Sequence, residues 1–178
     1  IGIVGLKPAV GLVSRTHVVP ISSRQETAGP MARSVADAAL LLTAIAGPDP
    51  ADSATAGAAQ HMTDFTAGLD TASLKGKRIG VLRKTIGNDP RVSKLFDEAV
   101  ADLRRAGAVV VQIDYEMPQA MGDNELPVLL YELRIGLGAY LKGSPATIPA
   151  RSLADVIAFN KAHASEEMRW FGRDLFEN

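Results

Sequence analysis

Apolar residues recur along this chain in three rhythms, and each predicts a different element. Over residues 1–22 short apolar runs alternate with Gly, Pro and Ser, the pattern of brief strands and tight turns. From Ser34 the pattern turns helical. Ser34 and Asp37 make an S-x-x-D start that satisfies orphan N–H groups, and VADAALLLTAIA follows, apolar nearly all round. Such a helix should be buried on several sides. Gly47 and Pro48 then stand where a C′ residue and a helix stop belong. Residues 48–73, rich in Ala, Asp, Thr and Gly, read as surface loop with one helical turn near 62–69.

The clearest unit is 75–114. RIGVL at 78–82 has the look of a buried strand, and AVVVQI at 108–113 of a second. Between them Val92, Leu95, Phe96, Ala99, Val100 and Leu103 keep i, i+3, i+4 spacing, and Gly107 ends that helix. Strand, helix, strand with short joints is a βαβ unit with parallel strands and a right-handed crossover. After a turn-rich stretch at 117–125, Leu126, Leu130, Leu133, Leu137 and Leu141 form one helical stripe. A second S-x-x-D start, Ser152 and Asp155, opens a last helical stretch with a break near Ser165. The expected fold class is α/β, a mixed sheet flanked by helices.

Composition narrows the possible functions. In 178 residues, hydrophobic content of 47% and a net charge of −1 describe a globular protein able to bury a core. Without a basic excess, nucleic acid is not an expected partner. No cysteine is present, which removes disulfides and thiolate metal sites. The longest apolar run, 38–46, is far shorter than the ~20 residues of a membrane span, so no membrane partner is expected either.

Common chemical motifs fit poorly. Gly136 and Gly138 form G-x-G, but Leu141 occupies the third glycine position of a dinucleotide fingerprint, inside a helical pattern. His17, His61 and His163 are far apart, and His163 with Glu166 falls short of a zinc site. Lys7 reads as a structural or surface lysine. Glu26 stands out as an acid, with a solvated loop carboxylate as the plain alternative.

One ordered set of segments does carry a signal. GLKP, GLVSR, VPIS, QETAGPMARSVADAALLL, DPADSAT and LKGKRIGV follow one another. In that order and spacing they resemble the amidase signature family, serine hydrolases of carboxamides. LLYELRIGLGAYL and RSLADVIAFNKAHASEEMRWFG resemble its peptide-amidase branch, enzymes that remove C-terminal amides. The resemblance implies catalysis by a Ser, a cis-Ser and a Lys, without cofactor or metal, on a small-molecule or peptide amide. In the family all three precede the GLKP motif, so they are expected N-terminal to Ile1 and this chain alone is expected to be inactive.

On that reading residues 1–178 are an internal fragment of a single amidase signature domain. Residues 1–47 are the second half of the signature region, 75–114 the βαβ unit and 126–176 a helical segment. Glu26, Gly29 and Pro30 would support the active site. Glu26 replaces a family Asp that braces an Arg just beyond the nucleophile, and Ala28 stands where the branch often has Pro. Tyr131, Glu132 and Arg134, off the leucine stripe, would either edge the substrate cleft or form a plain solvated helix face. Surfaces exposed by truncation would favour self-association. The rival reading is a non-catalytic α/β module that binds a small ligand at the C-terminal ends of the βαβ strands.

Overall fold

The computed structural model describes residues 2–70, 74–172 and 174–177. Residues 71–73, at the end of the expected 48–73 loop, lie outside the described residues, as do Ile1, Arg173 in the 126–176 segment, and Asn178. The chain forms two compact units, one made of Ile1–Phe65 and Gln119–Asn178, the other of Thr66–Pro118. The fold is α/β. Among the described residues its strands lie in two separate two-stranded sheets, one antiparallel and one parallel.

In the first unit β1 (Val4–Gly5) pairs antiparallel with β2 (Met31–Ala32), Val4 opposite Ala32 and Gly5 opposite Met31. The chain between them, residues 6–30, carries the GLKP, GLVSR and VPIS motifs and returns to its start: the Leu6 N–H donates to the Pro30 carbonyl at 3.0 Å. Helix α1 (Val35–Ile45) begins as its sequence predicts. Ser34 Oγ accepts from the Asp37 N–H at 3.1 Å and donates to the Asp37 carboxylate at 2.8 Å. Its burial differs from expectation. Ala38, Ala39 and Leu42 are buried against the β1–β2 side, whereas Val35, Leu40 and Leu41 are exposed. The all-round apolar pattern is thus matched by packing on one face only. Gly47, at φ 152°, donates to the Leu12 carbonyl at 3.0 Å, so it ties the helix end to the GLVSR segment.

The helical turn expected near 62–69 lies upstream instead, as a 3₁₀ helix over Ser53–Gln60. Two short-range polar contacts place it there. Asp52 caps its start, accepting from the Ala54 N–H, and the fully buried Thr55 hydroxyl donates to the Asp49 and Asp52 carbonyls.

The second unit is the predicted βαβ. β3 (Arg78–Val81) and β4 (Val109–Gln112) run parallel, with Arg78 opposite Val109 and Val81 opposite Gln112, joined through α2 (Pro90–Arg105). Asp89 caps α2 and Pro90 takes the first helical position, where its missing N–H costs nothing. Gly107, at φ 89°, makes the return turn. A side chain there would meet the Lys75 backbone at 3.1 Å. Val81, Val100 and Ala108 form the buried centre of this unit.

Back in the first unit, α3 (Gln119–Gly143) starts well before the expected residue 126 and contains Pro127. Gly122, Asp123 and Asn124 read locally as turn formers, but side-chain bonds of helical reach hold them: Gln119 to Asp123 at 2.8 Å and Asn124 to the Ala120 carbonyl at 2.6 Å. Along the leucine stripe burial deepens, from exposed Leu126 to buried Leu137 and Leu141. Arg151 closes the helix C-terminus by donating to the Leu141, Ser144 and Pro145 carbonyls. Helix α4 (Leu153–Ala162) has the predicted Ser152 cap. It ends at Ala162 with His163 as its C-cap, two residues before the expected Ser165, and His163 stacks on Phe159 with its Nδ1 2.9 Å from that carbonyl. The short helices α5 (Ala164–Glu167) and α6 (Asp174–Glu177) follow. Among the described residues no helix is long and apolar enough to cross a membrane.

Candidate functional site

The polar centre of the first unit is built on Arg15, the last residue of GLVSR. Its guanidinium grips Asp52 of DPADSAT from two sides, Nε to Oδ2 and Nη2 to Oδ1, both at 2.9 Å. The Arg15 backbone N–H adds a third bond to Asp52 at 3.0 Å. Both side chains are largely buried, 15% and 10% exposed. A bidentate pair with that little water is among the stronger charge-assisted contacts. The Arg15 hydrogen bond accordingly holds the Asp52 carboxyl well below the usual carboxylate range, and the same bond raises Arg15. Beside it, Asp49 accepts from Ser14 Oγ at 2.6 Å and from the Thr16 hydroxyl, which lowers its pKa. The chain turns sharply here: Val18 donates to the Arg15 carbonyl and His17 sits at φ 66°.

Arg15 also reaches forward, Nη1 donating to the Ser23 carbonyl at 2.6 Å. This fixes the next loop, 20–26, which two carboxylates organise. Glu26 folds back locally and accepts from the Ile21 and Ser22 N–H groups at 2.6 and 3.2 Å, both on Oε2. Glu132, from α3, accepts from Ser22 Oγ at 2.6 Å, with Arg24 Nε 3.2 Å from its other oxygen. Ser22 is only 2% exposed. The loop then runs to Gly29 and the fully buried Pro30. At Gly29 a Cβ would stand 2.0 Å from the Leu6 carbonyl oxygen, so only glycine lets this stretch lie against GLKP.

These segments enclose an open cavity of about 450 Å³. Arg15, Asp52, Glu26 and Ser23 give it a polar side, and Val18, Pro20 and Tyr140 an apolar one. Of the predicted site residues, Glu26 lines the cavity, while Gly29 and Pro30 lie on the far stretch of the loop, against Leu6. Tyr131 and Arg134 are exposed and do not line it. α3 contributes Gly136, Ala139 and Tyr140 to the wall, about a turn beyond them. Glu132 faces Ser22. Lys7 is exposed, as its sequence context suggests. Arg15 and Asp52 carry the ion pair, yet sequence reasoning picked out neither; their positions within two recognisable motifs were the available signal.

A family model described as amidase matches residues 1–171, and the chain belongs to the amidase family. Nearly the whole chain is similar to solved peptide amidases. The native peptide amidase of Stenotrophomonas maltophilia is 49% identical, with a TM-score of 0.84, over 98% of this chain and 35% of that one. A peptide amidase in complex with the competitive inhibitor chymostatin is 48% identical, with a TM-score of 0.87, over 98% and 35%. A probable amidase of Arabidopsis thaliana is 41% identical over 183 residues, 98% of this chain and 34% of that protein. The chain thus spans about a third of the length of these relatives.

Proposed function

We propose that this chain is the supporting frame of an amide-hydrolysing site, in an enzyme that cleaves carboxamide C–N bonds and takes the C-terminal amides of peptides as substrates. Similarity to peptide amidases, one of them bound to a competitive inhibitor, supports the substrate class. The observation that carries the reading is the grip of the QETAGP loop on GLKP: Leu6 donates to Pro30, and Gly29 packs on the Leu6 carbonyl. By the family resemblance GLKP directly follows the nucleophile segment, so whatever fixes Leu6 also fixes the base of that segment.

In this reading the Ser, cis-Ser and Lys lie N-terminal to Ile1. A neutral Lys draws a proton through the cis-Ser from the nucleophilic Ser, whose oxygen attacks the amide carbon. Backbone N–H groups hold the oxyanion, the proton passes back through the cis-Ser to the amide nitrogen so that the C–N bond breaks and ammonia leaves, and water releases the acid from the acyl-enzyme. Glu26 spends Oε2 on the backbone of its own loop, leaving Oε1 for the arginine beyond the nucleophile. The test is ammonia release from peptide amides by the 178-residue chain and by a version extended N-terminally far enough to include the Ser, the cis-Ser and the Lys. The extended enzyme should turn over and the chain alone should not, because loss of a nucleophile–base unit removes most of the rate. Equal turnover by the two would overturn the assignment.

A further inference from the structure

Glu132 was expected at the edge of a substrate cleft, but its contacts give it another task. It stands 110 residues from Ser22 in sequence, and the two side chains meet at 2.6 Å. Burial makes this the decisive contact. The Ser22 hydroxyl, almost wholly removed from water, would otherwise strand its donor, whereas the Arg24 side chain on the same carboxylate is 83% exposed and contributes little. The Ser23 and Arg24 backbone N–H groups also face the Glu132 carboxylate, which lies below its ordinary pKa, first through the Ser22 hydroxyl. Residues 22–24 therefore converge on one carboxylate from α3, while Glu26 closes the same loop from its own side.

What the loop delivers is the Ser23 carbonyl, on which Arg15 Nη1 rests at 2.6 Å. Arg15 in turn holds Asp52 and lines the cavity. We propose that Glu132 is a positioning residue for amide hydrolysis: from α3 it holds Ser22, and so sets the loop that places the Ser23 carbonyl, Arg15 and Glu26. This rests on the functional reading above, since it concerns the geometry of that same site.

Two measurements separate the inference from that reading. In the N-terminally extended enzyme, Glu132→Ala should lower kcat on a peptide amide between ~5- and ~100-fold, the range of small misplacements near a reacting centre, while KM stays within about twofold. Glu132→Gln, which keeps an acceptor for Ser22, should recover most of the loss. Ser22→Ala combined with Glu132→Ala should be no slower than Glu132→Ala. Unchanged kcat, a loss in KM alone, or a fully additive double variant would overturn the proposal.

If the extended enzyme hydrolyses no amide, the functional reading fails, and hydrogen exchange of the 178-residue chain then decides the contact itself. Glu132→Ala should speed exchange of amides 21–26 by at least about tenfold and leave the Thr66–Pro118 unit unchanged. Unaltered exchange in that loop would show that Glu132 does not hold it.

Discussion

The Arg15–Asp52 pair offers the sharpest test of the structure, through Asp52→Ala. The change strands the Arg15 guanidinium in a largely buried setting and uncaps the 3₁₀ helix at Ser53. Removing one partner of a buried pair costs about 3–5 kcal/mol. A tenth of the Asp52 side chain still meets solvent, so screening brings this to about 2–3 kcal/mol. The lost cap adds about 1 kcal/mol. The total, about 3–4 kcal/mol, corresponds to roughly 6–16 °C in Tm for a chain of this length. Calorimetry of the purified chain reads this directly. Arg15→Leu in a double-mutant cycle should give a coupling of about 1.5–3 kcal/mol, because the double variant strands no charge.

The pH dependence follows from the depressed Asp52 pKa. Below about pH 4 the unfolded state binds a proton that the native carboxylate refuses. The stabilisation is complete above that pH and drains away as pH falls toward the native pKa. The stability gap between the wild type and Asp52→Asn should be flat from pH 7 to about 4, then narrow. A melting temperature within two or three degrees of wild type for Asp52→Ala, or strict additivity in the cycle, would refute the reasoning.

Further outcomes are expected elsewhere. Gly29→Ala should destabilise by about 3 kcal/mol or more, or abolish soluble expression, since its Cβ meets a backbone oxygen at 2.0 Å; thermal melts check this. Thr55→Val leaves the half-buried Asp49 N–H, now 2.7 Å from the fully buried Thr55 hydroxyl, without that acceptor and should cost about 1–3 kcal/mol in urea unfolding. In the extended enzyme Glu26→Ala should lose several-fold to about a hundredfold in kcat, about 1–3 kcal/mol, with Glu26→Asp milder; wild-type kinetics would make Glu26 a plain loop acid. Exposed Met31, Val35, Leu40 and Leu41 should make the isolated chain bind hydrophobic dyes and self-associate, which light scattering at increasing concentration would show.

Elements dictated by neighbours in sequence were legible; those dictated by distant partners were not. The βαβ unit was found within a residue or two, because alternation, helical spacing and the Gly107 stop all act locally. The Ser34 and Ser152 caps were equally plain. By contrast, α3 runs through Pro127 and the turn formers before it, overriding local preference. Arg15 finds Asp52 across 37 residues and Ser22 finds Glu132 across 110, and no periodicity announces such pairs. Glu26, Gly29 and Pro30 were singled out through family resemblance. Their contacts — backbone amides, the Leu6 carbonyl — appear only in three dimensions.

The distance between Ser22 and Glu132 also has a meaning in time. A ribosome adding ~5–20 residues per second delivers Glu132 roughly 5–20 s after Ser22. Throughout that interval only Glu26 and Arg15, both nearby in sequence, hold residues 20–26, and Arg24 sits in a loop that still lacks its α3 anchor. The loop of the site is thus written early and anchored late, when α3 brings Glu132 to the Ser22 hydroxyl.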